Sequence, residues 1–108
     1  LGITFKENCP DIRNTRVLDL ISELRRQGIQ TCVHDPIAHR EEVFEEYGIE
    51  LMDWERLPEV SALVLAVAHD KYRQLKPSDY AQKLGKKGIF IDVKSVLEET
   101  ELFPVWRL

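Results

Sequence analysis

Cysteine is scarce in this sequence. Cys9 and Cys32 are the only two, they form no CxxC pair, and the three histidines do not stand at zinc-ligand spacing around them. No metal site and no disulfide framework is expected, and thiols used so sparingly fit a reduced, cytoplasmic setting. Long apolar runs are missing, so no membrane partner is expected. The opening residues lack the basic, apolar and small-residue pattern of a signal peptide. The net charge of -4 leaves no basic footprint for a nucleic-acid partner, although local basic clusters can still bind a small anion. Glycine is absent where a dinucleotide-binding turn would need it. The segment after the first apolar run is Lys6–Asn14, KENCPDIRN, without a single glycine, and no P-loop pattern occurs anywhere.

What is present is an ordinary globular composition, 44% hydrophobic and 31% charged, in 108 residues. That is one domain's worth, long enough to bury a core without covalent staples. The chain opens directly on Leu1-Gly2-Ile3-Thr4-Phe5, which reads as a strand already under way. The expectation is a fragment of a longer protein. Apolar strand-like runs then alternate with amphipathic helical runs, as in parallel α/β units. Leu1–Phe5 is the first predicted strand. A helix over Thr15–Gln27 follows, with Val17, Leu20, Ile21 and Leu24 as its buried stripe, Asn14 or Thr15 as N-cap and Gly28 as its left-handed stop. Ile29–His34 is the second strand, and Cys32 reads as buried packing within it. A helix over Ala38–Tyr47 leads to a short third strand, Ile49–Met52, and a helical turn at Trp54–Leu57. Ala62–Val67 is almost wholly apolar, as a central strand buried on both faces would be. Short helices are predicted at Lys71–Leu75 and Ser78–Leu84, a fifth strand at Gly88–Asp92, a helix at Val93–Thr100 and an extended end at Pro104–Leu108.

These elements predict a doubly wound, Rossmann-like α/β domain. It should have about five parallel strands in the order 3-2-1-4-5, with helices on both faces. Ligands of such sheets bind beyond the C-terminal strand ends, at the switch point between the first and fourth strands. Three loops meet there: Lys6–Asn14, Ala68–Tyr72 and the stretch from Asp92. Asp35 ends the second strand, where a Rossmann domain keeps its ribose-binding acid. Without the glycine turn, Asp35-Pro36 is more simply a turn initiator. In the first loop, Lys6, Arg13 and Arg16 stand beside a helix N-terminus, a combination that can hold phosphate. Glu7 and Asp11 offer the alternative of a solvated ion-pair network.

Beyond these general features, GITFKENCPDIRNTRVLDLISEL resembles the opening of the C-terminal domain in the UDP-glucose/GDP-mannose dehydrogenase family. The shared pattern is a strand, then Phe5-Lys6, then D-x-R-x-[ST] as Asp11, Arg13 and Thr15. Three more markers follow in order: Val33-His34-Asp35-Pro36, the apolar run into LVLAVAHDKY, and Asp92-Val93-Lys94. The variants FKENCPDIRNT, AVAHD and DVK, with the WRL ending, look most like the bacterial branch acting on UDP-N-acetylhexosamines of the UDP-GalNAc and UDP-ManNAc type. That branch supplies uronic acids for capsule and O-antigen. The resemblance implies an NAD-dependent 6-dehydrogenase, with NAD bound by another domain and none bound here. It implies oxidation of the sugar C6 alcohol in two hydride transfers through a thiohemiacetal on an upstream cysteine. The present domain would clamp the UDP part of the substrate. The remaining domains and a second copy of the subunit are the expected partners.

Carried over residue by residue, the resemblance makes Lys6 the lead substrate-binding candidate and Lys94 the next. Many relatives have arginine at the position of Lys94, whose planar fork binds phosphate bidentately where lysine offers a point charge. Arg13, with Asp11, either contacts the ligand or shapes the loop as an ion pair. His69 follows the central strand and either stacks on or hydrogen-bonds uracil, or is structural. Arg107 either reaches substrate or a neighbouring subunit. No catalytic residue is expected: Cys9 lies in KENCPD, not in the family's G-x-C motif. Phe5 and Trp106 are expected to pack. The competing readings are a non-catalytic oligomerisation module of the same fold and a receiver-like domain, for which Asp35 and Asp92 beside Lys6 are a poor magnesium cluster.

Overall fold

The computed structural model describes residues Leu1–Leu108. Helix α1 runs over Val17–Arg26 and α2 over Arg40–Tyr47, followed by a 3-10 turn at Trp54–Arg56. Strand β1 is Val60–Leu65, α3 Asp70–Arg73, α4 Pro77–Ala81, β2 Leu84–Asp92 and β3 Val105–Arg107. The three strands form a parallel sheet in the order β1-β2-β3. This is an α/β fold with a parallel sheet.

The helices end where the sequence places stops. Gly28 (φ +81°) and Gly48 (φ +67°) take left-handed conformations after α1 and α2. Pro77 starts α4 rather than merely separating two helices, and the Asp79 carboxylate accepts from the Lys76 N–H at its entrance (2.8 Å). At the start of α1 the residue preceding the helix is Arg16, not Asn14 or Thr15, and it makes no side-chain cap; Thr15 Oγ1 instead accepts from the Val17 N–H (3.3 Å). The buried side of α1 is also rotated from the expected stripe. Leu18 packs inward with Val17 and Ile21, while Leu20 is exposed.

The strands depart further from expectation. Leu1–Phe5 is assigned no ladder, and the second and third predicted strands reduce to one parallel bridge, Val33↔Leu51. Backbone bonds nevertheless run beside both. Gly2 N–H donates to His34 O (2.9 Å), Ala66 N–H to Leu1 O (2.9 Å) and Met52 N–H to Val33 O (2.8 Å). The fifth predicted strand pairs regularly over Ile89–Asp92 and extends back to Leu84 through an irregular stretch opposite Val60 and Ala62. The helix expected at Val93–Thr100 does not form. Its first residues turn back on the Asp92 carboxylate, which accepts from the Val96 and Leu97 N–H groups. The end of the chain does form a strand, β3.

Two apolar clusters make the core. Ile3, Ile12, Ile21, Val33, Val43, Ile49 and Leu51 pack under α1 and α2. Leu63, Leu65, Tyr72, Tyr80, Leu84, Phe90 and Phe103 pack around β1, β2, α3 and α4. The central run is not buried on both faces as expected. Leu63, Leu65 and Val67 are buried, whereas Val64 and Ala66 are half-buried. Val64, Ile91 and Trp106 are in register across the three strands, so a row of apolar side chains on this face ends in Trp106, which is 64% exposed. Trp106, expected to pack, is therefore only partly covered within the domain. Cys32 is exposed because its neighbour Val33 takes the inward position of the strand period.

Candidate functional site

The loop Lys6–Asn14 is held in shape by its own backbone. Phe5 N–H donates to Asp11 O (2.8 Å), and Cys9 N–H to Lys6 O (3.3 Å). Asn8 (φ +58°) and Asn14 (φ +60°) take left-handed conformations that asparagine tolerates better than most residues. The loop is tied to the turn after the central strand: Asn8 Oδ1 accepts from the Asp70 N–H (2.9 Å). Two of the three predicted loops therefore meet. The third leaves the sheet beside the end of the central strand, where Val93 N–H donates to Leu65 O (3.3 Å).

Beneath the first two loops lies a buried polar cluster. His69 and the Asp35 side chain have no exposed surface, and Thr4 is 1% exposed. His69 Nδ1 faces the Asn8 backbone N–H at 2.9 Å. A backbone N–H can only donate, so Nδ1 accepts and Nε2 carries the hydrogen. Nε2–H then points to Asp35 Oδ2 (2.9 Å), with Thr4 Oγ1 at 3.2 Å. The Asp35 carboxylate also accepts from the N–H groups of Ile3 (2.7 Å), Ile37 (2.7 Å) and Ala38 (2.9 Å). The last two make the turn that Asp35-Pro36 signalled. Burial alone would push Asp35 up, but these four donors outweigh it and hold the group down to about 2. A carboxylate so fully occupied has no capacity left for a ribose hydroxyl. With no glycine in the Lys6–Asn14 loop, the residues present do not fit NAD.

The third loop is built around Asp92, whose side chain is likewise buried. It accepts from Val96 N–H (3.1 Å), Leu97 N–H (2.8 Å) and Arg107 Nη1 (2.5 Å). Arg107 Nη2 also donates to Leu97 O (3.0 Å). Ser95 is left-handed at φ +55°, a strained conformation for serine beside the loop's lysine.

The predicted residues are thus distributed unequally. Lys6 and Lys94 are exposed and take part in no ion pair; Lys6 follows the segment bonded to one side of the central strand and Lys94 follows β2 on its other side. Arg13 forks onto Asp11 through Nε and Nη2, both at 3.0 Å, which is the loop-shaping alternative. That fork and the Arg13 N–H hold the Asp11 carboxyl down to about 2. His69 is buried with both ring nitrogens engaged, so in this conformation it presents nothing to a base. Arg107 is committed to Asp92. Phe5, expected in the core, is 55% exposed because Ile3 and Thr4 take the inward positions before it. Two clefts lie elsewhere. One of about 550 Å³ is lined by His34, Trp54, Tyr72 and Lys71, among others, and one of about 780 Å³ by Arg25, Cys32 and Phe44. None of the five predicted residues lines either.

A family model described as the UDP-binding domain of the UDP-glucose/GDP-mannose dehydrogenase family matches residues 1–99. The chain belongs to this family. Protein CapL of Staphylococcus aureus is 39% identical over 111 residues, covering 100% of this chain and 26% of the relative. UDP-N-acetyl-D-glucosamine 6-dehydrogenases of Pseudomonas aeruginosa and Salmonella typhi are each 39% identical, covering 92% and 90% of this chain and 24% and 23% of their own lengths. The chain thus spans about a quarter of the length of these relatives. Among solved structures, the UDP-N-acetyl-mannosamine dehydrogenase Cap5O from S. aureus superposes with a TM-score of 0.75 over 98% of this chain and 24% of that one. At 21% identity this likeness speaks for the fold. The motif variants resemble the N-acetylhexosamine branch, and the names of the Pseudomonas aeruginosa and Salmonella typhi relatives fall within it.

Sequence reasoning missed the polar floor of the site. The sequence singles out neither Thr4 nor Asn8, and none of its readings of Asp35, as a ribose-binding acid, a turn initiator or a family marker, makes it a partner of His69. The polar residues at the end of an apolar strand were the available signal, but nothing in one dimension pairs Asp35 with His69.

Proposed function

We propose that this chain is the UDP-binding domain of an NAD-dependent UDP-sugar 6-dehydrogenase that oxidises the sugar C6 alcohol to a uronic acid for bacterial surface polysaccharide. The observation that carries this reading is the match to the family's UDP-binding domain over residues 1–99. Lys6 and Lys94 are the diphosphate contacts, as cations free of ion pairs on loops to either side of the central strand. Arg13 shapes the first loop and reaches the ligand only by leaving Asp11. Arg107 orders the Lys94 loop through Asp92. NAD and the reacting cysteine belong to other domains of the parent enzyme, and the role of this domain is to bind and orient the unreacting end of the substrate.

The backbone bonds between Leu1 and Ala66, Gly2 and His34, and Val33 and Met52 support a sheet order of 3-2-1-4-5, extended by β3. In that order Lys6 stands at the switch point. One domain spanning 1–108 is the corresponding organisation. No helix is long and apolar enough to cross a membrane. The biosynthetic names of the relatives are consistent with a cytoplasmic enzyme.

A second reading, a packing module, is favoured by the row Val64, Ile91 and Trp106 with its exposed end. The two are compatible if this row meets the remaining domains or a second subunit. Calorimetric titration separates them. Saturable binding of UDP, weaker binding of UMP and none of NAD is the expected result for a diphosphate site. Unchanged UDP affinity in Lys6→Ala and Lys94→Ala would leave only the packing role.

A further inference from the structure

We propose that His69 and Asp35 form a buried positioning pair that fixes the backbone on both sides of Lys6 and so aims its ammonium at the ligand. The inference rests on the reading of Lys6 as a diphosphate contact. On one side, Thr4 Oγ1 donates to Lys6 O (3.0 Å) and is itself held against His69 Nε2 (3.2 Å). On the other, the Asn8 N–H donates to His69 Nδ1 (2.9 Å). One imidazole therefore touches the residues two before and two after Lys6.

Asp35 makes this possible by fixing the tautomer. Its Oδ2 takes the hydrogen of Nε2 (2.9 Å) and leaves Nδ1 as the acceptor that the Asn8 N–H requires. Asp35 cannot swing away, because three backbone N–H groups also hold it. Both side chains are fully buried, so neither is a ligand contact. A lysine carries much rotamer entropy, and an anchored backbone limits what must be ordered when it meets phosphate. Such support beneath a contact residue is what keeps a binding geometry within tolerance.

Two substitutions in the full-length protein divide the role. In His69→Asn the side-chain oxygen can stand near the Nδ1 position and accept from Asn8, while the bond to Asp35 is lost. In His69→Gln the amide nitrogen can stand near Nε2 and donate to Asp35, while the acceptor for Asn8 is lost. The proposal expects opposite orders in two measurements. His69→Asn should have the lower Tm yet bind UDP within about threefold of wild type; His69→Gln should have the higher Tm yet bind UDP about tenfold more weakly. Hydrogen exchange over Lys6–Asn14 should quicken in His69→Gln at equal global stability. If UDP affinity instead falls in the same order as Tm, or if His69→Gln binds like wild type, the positioning role is overturned while the UDP site stands. If the wild-type protein binds no UDP, the site reading fails first and this inference with it.

Discussion

At Asp35 the number of donors outweighs the cost of burial. The carboxylate lies in the interior, accepts four N–H groups and is held at about 2, below its ordinary 3.8. A group depressed in the folded state adds stability that is fully present above its unfolded value and lost as pH falls toward the folded one. The window here is therefore about pH 4 down to 2, and the contribution is about 2 kcal/mol. Urea unfolding across pH should show this loss in wild type. In Asp35→Asn the acid slope should flatten and neutral-pH stability should drop by about 2 kcal/mol or more, because an amide nitrogen must then face two of the four donors in either orientation. The two exposed lysines behave differently. Lys6→Ala should leave Tm unchanged and weaken UDP at least tenfold, with a shallower salt dependence of binding. Arg13→Ala should change UDP affinity less than Lys6→Ala, since its guanidinium is already spent on Asp11.

At the level of elements, glycine separates conformational need from space. Gly28 needs only a left-handed backbone to stop α1, and an added Cβ would meet nothing within 4 Å. Gly28→Ala should cost about 1 kcal/mol in denaturant unfolding. Gly2 is also left-handed, but a Cβ there would stand 2.7 Å from Val67 Cβ and 2.8 Å from Val67 O. Because part of that contact is backbone, it cannot be relieved by a rotamer change, and Gly2→Ala should destabilise the fold by several times the Gly28→Ala cost. The stops of α1 and α2 and the presence of a central strand were legible because each depends on local chemistry, Gly28, Gly48 and the run around Leu63–Leu65; the cap of α1 and the burial of that strand's two faces were not. The missing helix at Val93–Thr100 was not legible. Its amphipathic pattern is real, but the Asp92 carboxylate takes the Val96 and Leu97 N–H groups and Arg107 closes the loop from fifteen residues away.

The whole molecule leaves one apolar row unfinished. Val64 and Ile91 are half-buried and Trp106 is exposed, in register on one sheet face. A domain that makes up about a quarter of its relatives' length can have this row covered by the rest of such a protein. Trp106→Glu in the full-length protein should raise the protein concentration at which self-association is lost, or bring earlier thermal unfolding. In the isolated domain the same substitution should change Tm little, because Trp106 packs against little within it. Equal effects in both settings would assign Trp106 to the domain's own fold instead.

From the sequence alone came the α/β class, the family and the loops that carry Lys6 and Lys94. Period, punctuation and motif order are local properties that survive reading in one dimension. Which polar residues become interior was decided only by the tertiary structure. His69 looked available for a ligand until Thr4, Asn8 and Asp35, as far as sixty-five residues away in the chain, closed around it. Burial and hydrogen-bond partnership depend on distant segments arriving together, and no local pattern records that.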